Sequence, residues 1–420
     1  MSRLVETALP SRLGTPFRWL VLSSWTTNIG DGIAVAAGPL LIASETREPF
    51  LVALGALLGY LPALLFGLFA GVVADRVDRR LLVAVSDGSR AVVIALLVTT
   101  IVTGEVNIAV VLAAIFLLGT AETFADTSAS TLAPMLVPRR DLGLANARIM
   151  GGFLVGNQLA GPPIGAFLFG LGHVWPFVTQ GVCVALGVLL VLRMRLPVRA
   201  EHERSEPAGV RAEMVAGLRW VLAHAAVRTL VLTILIFNIT FGAAWSVLVL
   251  YSLERLHMGA VGFGLLTSAL AAGGVLGMLG YGWMERHVSL GVIMRGGLVI
   301  ETLTHLALAV NTLPWLAMAV MVVFGAHAFV WGTTSQAVRQ RAVPLALQGR
   351  VNGVNRIATM GGIVVGSLVG GVVAGRWGVT APFWFGFAGS AVFLVLLWRQ
   401  LLHIAHADEE QADLPDPAQG

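Results

Sequence analysis

The chain has 420 residues, of which 57% are hydrophobic and 12% are charged, and its mean hydropathy is +0.84. A soluble domain carries about twice that charged fraction, so the composition excludes a water-soluble globular protein and indicates a chain that crosses a membrane many times. The formal net charge is +4, but no basic stripe interleaves with aromatic side chains, which excludes nucleic acid as a partner.

Twelve apolar runs follow one another along the chain, each of the roughly 20 residues that a helix needs to cross a bilayer. Their centres lie near Ala34, Leu61, Ala91, Leu117, Phe153, Ala185, Ile239, Ala269, Val299, Val320, Val364 and Phe393. The runs predict an all-α membrane protein with 12 transmembrane helices in two six-helix bundles. The predicted parts are a tail at 1–16, a bundle at 17–195, a linker at 196–226, a bundle at 227–404 and a disordered tail at 405–420.

An internal repeat supports the division into two bundles. A shift of 206 residues superposes Val137-Pro138 on Val343-Pro344 and Gly165 on Gly371. The fourth loop and fifth run therefore recur as the tenth loop and eleventh run, which indicates that the second bundle repeats the first.

The arginines indicate how the chain is oriented. If the N-terminus is cytoplasmic, Arg47, Arg255 and Arg376 fall in outer segments and the other arginines lie in or near inner ones. Inverting the chain would reverse this bias. We therefore expect both termini, the linker and both tails to be cytoplasmic.

The loop between the second and third runs is the densest charge cluster in the first half of the chain. It reads G-V-V-A-D-R-V-D-R-R over residues 71–80. The charged members are Asp75, Arg76, Asp78, Arg79 and Arg80. Since these side chains cannot enter hydrocarbon, they hold the ends of both helices at the cytoplasmic surface.

This loop resembles the signature of the major facilitator superfamily, which has Gly71, Asp75, Arg76, Arg79 and Arg80 at matching positions. The family usually has Gly where this chain has Asp78. The D-R-x-D-R-R form resembles the branch that contains macrolide and enterobactin exporters. The resemblance implies the major facilitator fold, the cytoplasmic membrane of a bacterium, and a gate in which Asp75 faces the start of the eleventh helix. A simple positive-inside anchor is the alternative.

The fifth run contains a second motif, G-P-P-I-G. Gly161, Pro162, Pro163 and Gly165 resemble the core of the motif that marks antiporters in this superfamily. Upstream of this core the family has glycines at set spacings, and there this chain has Asn157. A proline within a helix removes a backbone hydrogen bond and bends the helix, so the motif predicts a hinge and a leak barrier. A plain packing kink is the alternative.

Ionisable residues are rare within membrane spans because each costs about 2.5–3.5 kcal/mol at the helix centre. Asp31, in T-T-N-I-G-D-G, lies midway along the first run, and Glu122 lies in the fourth. A buried carboxylic acid is held neutral by desolvation and ionises when water or a cation reaches it, as a proton carrier requires. We interpret Asp31 and Glu122 as proton-coupling candidates, with a static pair to a buried Arg or Asn as the alternative.

Asp126 lies one helical turn after Glu122, nearer the cytoplasm, within reach of Arg76 or Arg90. We predict a structural ion pair there, with Arg90 and Asp126 as its candidates.

Two further places in the second half carry ionisable residues. Glu301 and His305 are four residues apart in the ninth run, and His327 lies in the tenth. We interpret the first two as a packing pair and His327 as a core histidine with satisfied hydrogen bonds.

A substrate requires a cavity lined by apolar and aromatic groups with a few polar ones. The candidates are Trp25 and Asn28 in the first run, Asn238, Phe241 and Trp245 in the seventh, and Trp331 in the tenth. The three in the seventh run share one helix face. Lipid-facing aromatic residues are the alternative.

No phosphate-binding loop, zinc-protease motif, Cys/His cluster or nucleophile elbow occurs in the sequence. We therefore expect no enzyme, no metal and no cofactor, and a monomer whose partners are a small substrate, protons and the bilayer. The resemblance implies a secondary transporter that exports an amphipathic compound in exchange for protons by alternating access. The alternatives are an importing symporter or facilitator and a non-transporting membrane sensor.

Overall fold

A computed structural model describes Glu6, residues 10–194, residues 210–398 and Gln400. Over these residues the chain is helical and contains no strand. Each of the twelve predicted span centres lies in a helix, which confirms the all-α prediction. Residues 195–209 and 401–420, which hold much of the predicted linker and the whole predicted C-terminal tail, lie outside the described residues.

The first half contains seven long helical segments. They are α1 (Thr15–Glu45), α2 (Pro49–Arg76), α3 (Arg79–Thr103), α4 (Ile108–Ser130), α5 (Leu142–Gly152), α6 (Gly161–Leu171) and α7 (Trp175–Leu192). A π-helix at Phe153–Ala160 joins α5 to α6, so the three together form the predicted fifth span.

The second half begins with α8 (Val210–Ala223), which lies in the predicted linker. The spans follow as α9 (Ala225–Trp245), α10 (Ala260–His287), α11 (Leu290–Val310), α12 (Pro314–Ala342), α13 (Gln348–Trp377) and α14 (Ala381–Leu397). A short π-helix at Tyr251–Arg255 precedes α10.

Nine helices of the described chain are long and apolar enough to cross a membrane. Three of the predicted spans are absent from that set. These are α1, the α5–α6 span that the π-helix divides, and α14, which has 17 residues. With these three, the helices account for the twelve predicted spans.

The chain divides into two compact units. Unit 1 comprises residues 1–204 and 249–268, and unit 2 comprises residues 205–248 and 269–420. In unit 1, α1 packs along α6, α7 and the π-helix, and the Ser23 hydroxyl donates to the Gly187 carbonyl at 2.9 Å. Small residues let these helices approach closely, as is typical within a membrane.

In unit 2, α9 packs along α13, and α11 packs against α12 and α14. Along α13, Gly362, Gly366 and Gly370 recur every fourth residue and contact the backbone of α9. The linker helix α8 also packs on α13, where Val221 is buried beside Val351.

The internal repeat extends to local structure. Val137-Pro138 is followed by a 3₁₀ turn at Arg139–Asp141 and then by α5, and Val343-Pro344 by a 3₁₀ turn at Leu345–Leu347 and then by α13. The two turns are 206 residues apart. The two copies differ in local structure at the π-helix, because the corresponding residues 359–366 continue as regular α-helix.

Candidate functional site

Arg90 and two aspartates form a buried ion cluster in unit 1. Arg90 Nη1 donates to Asp87 Oδ1 at 2.9 Å, and Arg90 Nη2 pairs with Asp31 Oδ1. The side chains of Arg90, Asp31 and Asp87 are 4%, 15% and 6% exposed. Asp31 and Arg90 each lie about midway along their helix, so the cluster joins α1 to α3 near the middle of the span.

Glu122 of α4 lies beside this cluster and interacts electrostatically with Asp31, Arg90 and Asp87. Within the described chain, Glu122 has no hydrogen bond or ion pair. The charge of Glu122 also acts on Tyr60 of α2. The two predicted proton-coupling residues therefore lie in one site, which also contains Arg90 and Asp87. We call Asp31, Asp87, Arg90 and Glu122 the acid cluster.

The charges of the acid cluster do not balance if every group is ionised. In the described chain, Arg90 is the only cation among the groups whose charges act most strongly on Glu122. Arg90 itself interacts with three carboxyl groups, those of Asp31, Asp87 and Glu122. Uncompensated charge is costly in a low-dielectric interior, where carboxylic acids take up protons instead. The Nε atom of Arg90 has no hydrogen-bond partner in the described residues. The cluster therefore contains more carboxyl groups than cations, an arrangement in which a carboxyl group can hold a proton.

The antiporter-like motif positions α1 and with it Asp31. A Cβ atom on Gly161 would lie 2.5 Å from Gly32 Cα, and one on Gly165 would lie 2.8 Å from the Ile33 carbonyl carbon. On the facing side, a Cβ atom on Gly32 would lie 2.7 Å from Asn157 Cα. Only glycine allows this approach, so the motif holds the turn of α1 that follows Asp31.

Pro162 and Pro163 stand at the start of α6, directly after the π-helix. Because Pro163 has no N–H, the Leu159 carbonyl loses its usual α-helical donor. The hydroxyl of Ser268, in the first half of α10, donates to that carbonyl at 2.9 Å. The predicted bend is thus a change from π- to α-helix, and Ser268 satisfies a group that the proline leaves free.

The charged loop connects α2 and α3. Asp75 is exposed and pairs with Arg79 at 2.9 Å, while Arg80 Nη1 donates to the Met194 carbonyl at 2.5 Å. Asp78, which replaces the usual glycine of the family, caps α3 by accepting from the Leu81 N–H at 3.0 Å. Arg76 is exposed in the last turn of α2, and a Cβ atom on Gly71 would meet open space.

Three of the predicted cavity residues belong to one group of rings in unit 2. Phe241 stacks on Trp245 with ring centroids 4.6 Å apart, and Phe237 stacks on Trp331 at 6.2 Å. Phe324 of α12 contacts both Phe237 and Phe241. We call these five residues the aromatic cluster.

The other predicted cavity residues engage neighbouring backbone. Trp25 Nε1 donates to the Arg148 carbonyl at 2.9 Å, which ties α1 to α5. The amides of Asn28 and Asn238 each donate to a carbonyl one turn earlier in their own helix, at 2.7 Å. Asn238 is buried against Gly362 of α13, so it does not join the aromatic cluster. The substrate roles of all six residues stay predictions.

Sequence reasoning missed Asp87, Tyr60 and Phe237. The signal for Asp87 was its spacing of three residues from Arg90 within an apolar run, which allows an ion pair on one helix face. We expected Arg90 to pair with Asp126. Instead, its two ion pairs are with Asp31 and Asp87. Asp126 is exposed one turn from Glu122 and interacts with it electrostatically; its ion-pair role stays a prediction.

The transmembrane secretion effector family model matches residues 8–418. The chain is 28% identical to the multidrug efflux pump Tap of Mycolicibacterium fortuitum, over 88% of this chain and 91% of Tap. It is 26% identical to the enterobactin exporter EntS of Escherichia coli (strain K12), over 93% of this chain and 92% of EntS.

Solved structures share the fold at lower identity. The nucleoside transporter NupG superposes with a TM-score of 0.70 at 16% identity, covering 93% of this chain and 99% of NupG. A bacterial homologue of the human lysosomal transporter Spinster gives 0.70 at 15%, covering 96% and 98%. These similarities, the helical fold and the loop signature agree, and the chain belongs to the transmembrane secretion effector family of the major facilitator superfamily.

Proposed function

We propose that this transporter exports a small amphipathic compound in exchange for protons by alternating access. Export is supported by the two relatives named above, one a multidrug efflux pump and the other an enterobactin exporter, each similar over most of its length. Bacterial relatives also favour the cytoplasmic membrane, with both termini on the cytoplasmic side as the arginine distribution predicts. We expect the substrate to be a drug-like or siderophore-like molecule.

The observation that carries proton exchange is the acid cluster. One arginine faces three carboxylates within it, so at least one acid is best accommodated in the protonated form. A carrier must bind a proton on one side of the membrane and release it on the other. Glu122 is the strongest candidate because, in the described chain, its carboxyl group has no hydrogen-bond or ion-pair partner, whereas Asp31 is paired with Arg90.

Everted membrane vesicles test this proposal. They are given a panel of dyes, macrolides and catecholate siderophores, and accumulation is driven by an acidic lumen that nigericin can collapse. We expect Asp31→Asn and Glu122→Gln to abolish accumulation driven by the pH gradient, because the carrier is lost. Exchange of labelled for unlabelled substrate, which needs no proton, should persist in the same variants.

Glu105→Gln is the matched control, because Glu105 is an exposed carboxylate in the loop after α3. It should accumulate substrate like the unmodified protein. If both single variants and the double variant still concentrate substrate with the pH gradient as sole driving force, neither Asp31 nor Glu122 carries the proton, and proton antiport by the acid cluster is refuted.

A further inference from the structure

Unit 2 contains a buried ionisable cluster that lies outside the acid cluster. His305 Nε2 is 3.0 Å from Glu301 Oε1, and His327 Nε2 is 3.6 Å from Glu301 Oε2. The side chains of Glu301, His305 and His327 are 1%, 4% and 2% exposed. A carboxylate on α11 thus lies between two imidazoles, one from its own helix and one from α12. We call these residues the histidine cluster.

Three polar atoms of the histidine cluster have no hydrogen-bond partner within the described chain. They are Glu301 Oε2, His305 Nδ1 and His327 Nε2. Buried polar atoms are seldom left in this condition, and the separation of 3.6 Å is too long for a hydrogen bond. His327 is buried as expected of a core histidine, but its Nε2 atom lacks the hydrogen bond that we expected. The cluster therefore has free capacity for protons.

In the described chain, the ion-pair partners of Glu301 are His305 and His327 alone. These two imidazoles are also the groups whose charges act most strongly on it. The helices α9 and α14, which also pack around this site, present hydroxyl and apolar side chains: Thr233, Phe237, Thr240, Ser390 and Phe393. Arg339 of α12 bonds to Asn355, and Arg295 of α11 bonds to the Trp398 carbonyl. An ionised Glu301 between two neutral imidazoles would be an unpaired buried charge, which is costly.

A small cavity provides space beside Glu301. The volume open to the centre of a water molecule is about 10 Å³, at the lower limit for holding one water. Gly386 of α14 packs against the His305 ring, where a Cβ atom would lie 2.6 Å from Nδ1. Among the described residues, no group of three His, Cys, Asp or Glu side chains is placed to hold a metal ion.

The histidine cluster touches the aromatic cluster. The His327 ring lies 6.4 Å from that of Phe237 and 5.9 Å from that of Phe324, centroid to centroid. His327 and Trp331 are four residues apart on α12, on the same side of the helix. A positive charge on His327 would act directly on the faces and edges of these rings.

We propose that Glu301, His305 and His327 form a proton-binding site in unit 2. Glu301 and the two imidazoles share one exchangeable proton in the form with no net charge, and a second proton makes the site cationic. That charge lies against the aromatic cluster and changes its affinity for a bound aromatic compound. The proton site does not depend on the proposed export, but its effect on transport does.

Histidine NMR tests the site in the absence of any substrate. The full chain is labelled with ¹⁵N-histidine in lipid nanodiscs and titrated from pH 5 to 9, with signals assigned by His305→Gln and His327→Gln. We expect His305 or His327 to change between imidazolium and imidazole within this range. In Glu301→Gln, where no carboxylate remains, the imidazolium signal of both should disappear.

The control for these spectra is His173→Gln, because His173 is exposed and stacks on Phe169 in unit 1. It should leave the signals of the histidine cluster unchanged. Signals that remain neutral, or remain charged, over the whole range in the unmodified protein would overturn the proposal, since the cluster would then be static.

The link to the aromatic cluster has its own measurement. Binding of a fluorescent aromatic dye to purified protein should change at least about fivefold in Kd between pH 6 and 8, the lower bound of typical coupling. Glu301→Gln should remove that component, whereas the control His173→Gln should not. If the dye binds with the same pH dependence in Glu301→Gln, the aromatic link is refuted. A chain that exports nothing would still titrate by NMR, so the two proposals fail separately.

Discussion

Arg90 lies midway along α3, with its guanidinium between Asp31 and Asp87. The side chain is 4% exposed, so its charge is compensated by these carboxylates and not by water. Removing one member of a buried ion pair is far more destabilising than replacing the whole set with neutral groups, because the first leaves a charge without a partner.

Arg90→Met should therefore lower stability at pH 8, by about 3–5 kcal/mol if the aspartates stay ionised. Thermal unfolding in detergent, followed by fluorescence-detected size-exclusion chromatography, gives the apparent Tm. The triple variant Arg90→Met/Asp31→Asn/Asp87→Asn should recover most of the loss. Arg139→Met, at an exposed position, serves as the control. If Arg90→Met has the same apparent Tm as the unmodified protein, the aspartates carry no buried charge.

At the scale of the element, the fifth span shows how a short motif determines the path of a helix. The π-helix at Phe153–Ala160 ends where Pro162 and Pro163 begin α6. A proline has no N–H group, so a carbonyl in the preceding turn loses its donor. Short π-helices inside α-helices are frequent at functional sites. The glycines on either side allow α1 to lie against this bend, so the motif orients the helix that carries Asp31.

Gly161→Ala tests that contact, because its Cβ atom would lie 2.5 Å from Gly32 Cα. Overpacking of this kind costs about 1–3 kcal/mol, and we expect a lower Tm together with slower transport. Gly170→Ala is a matched control on α6, where a Cβ atom meets open space; replacing glycine there should be neutral or stabilise the helix by up to about 1 kcal/mol. Equal effects of the two substitutions would show that the contact between α1 and α6 is not tight.

At the scale of the whole molecule, orientation in the membrane is a prediction that rests on the arginine distribution. Arg47 and Arg376 are exposed and are assigned to the outer surface, whereas the exposed Arg140 is assigned to the cytoplasm. In a Cys183→Ala background, Arg47→Cys and Arg376→Cys should react with an impermeant maleimide in intact cells. Arg140→Cys should react only after the cells are opened. The opposite labelling pattern would invert the topology and place the charged loop outside.

The sequence by itself determined the twelve spans, the recurrence of the fourth loop and fifth run as the tenth loop and eleventh run, and the family. These follow from properties of the sequence alone: the length of an apolar run, a repeat at a fixed spacing, and charges that cannot enter hydrocarbon. Asp31 and Glu122 could be singled out in the same way, because an acid within an apolar run is rare.

The tertiary structure decided which of these residues meet. Asp31, Asp87 and Glu122 come from three helices and share Arg90, and Glu301 bridges His305 and His327 across two helices. Asn238 shares a predicted helix face with Phe241 and Trp245. In the structure, however, Asn238 packs against Gly362 of α13, whereas Phe241 and Trp245 stack on each other. Helix spacing predicts neighbours on one helix, but partners on different helices depend on how closely the backbones pack, and here glycines at the contacts set that distance.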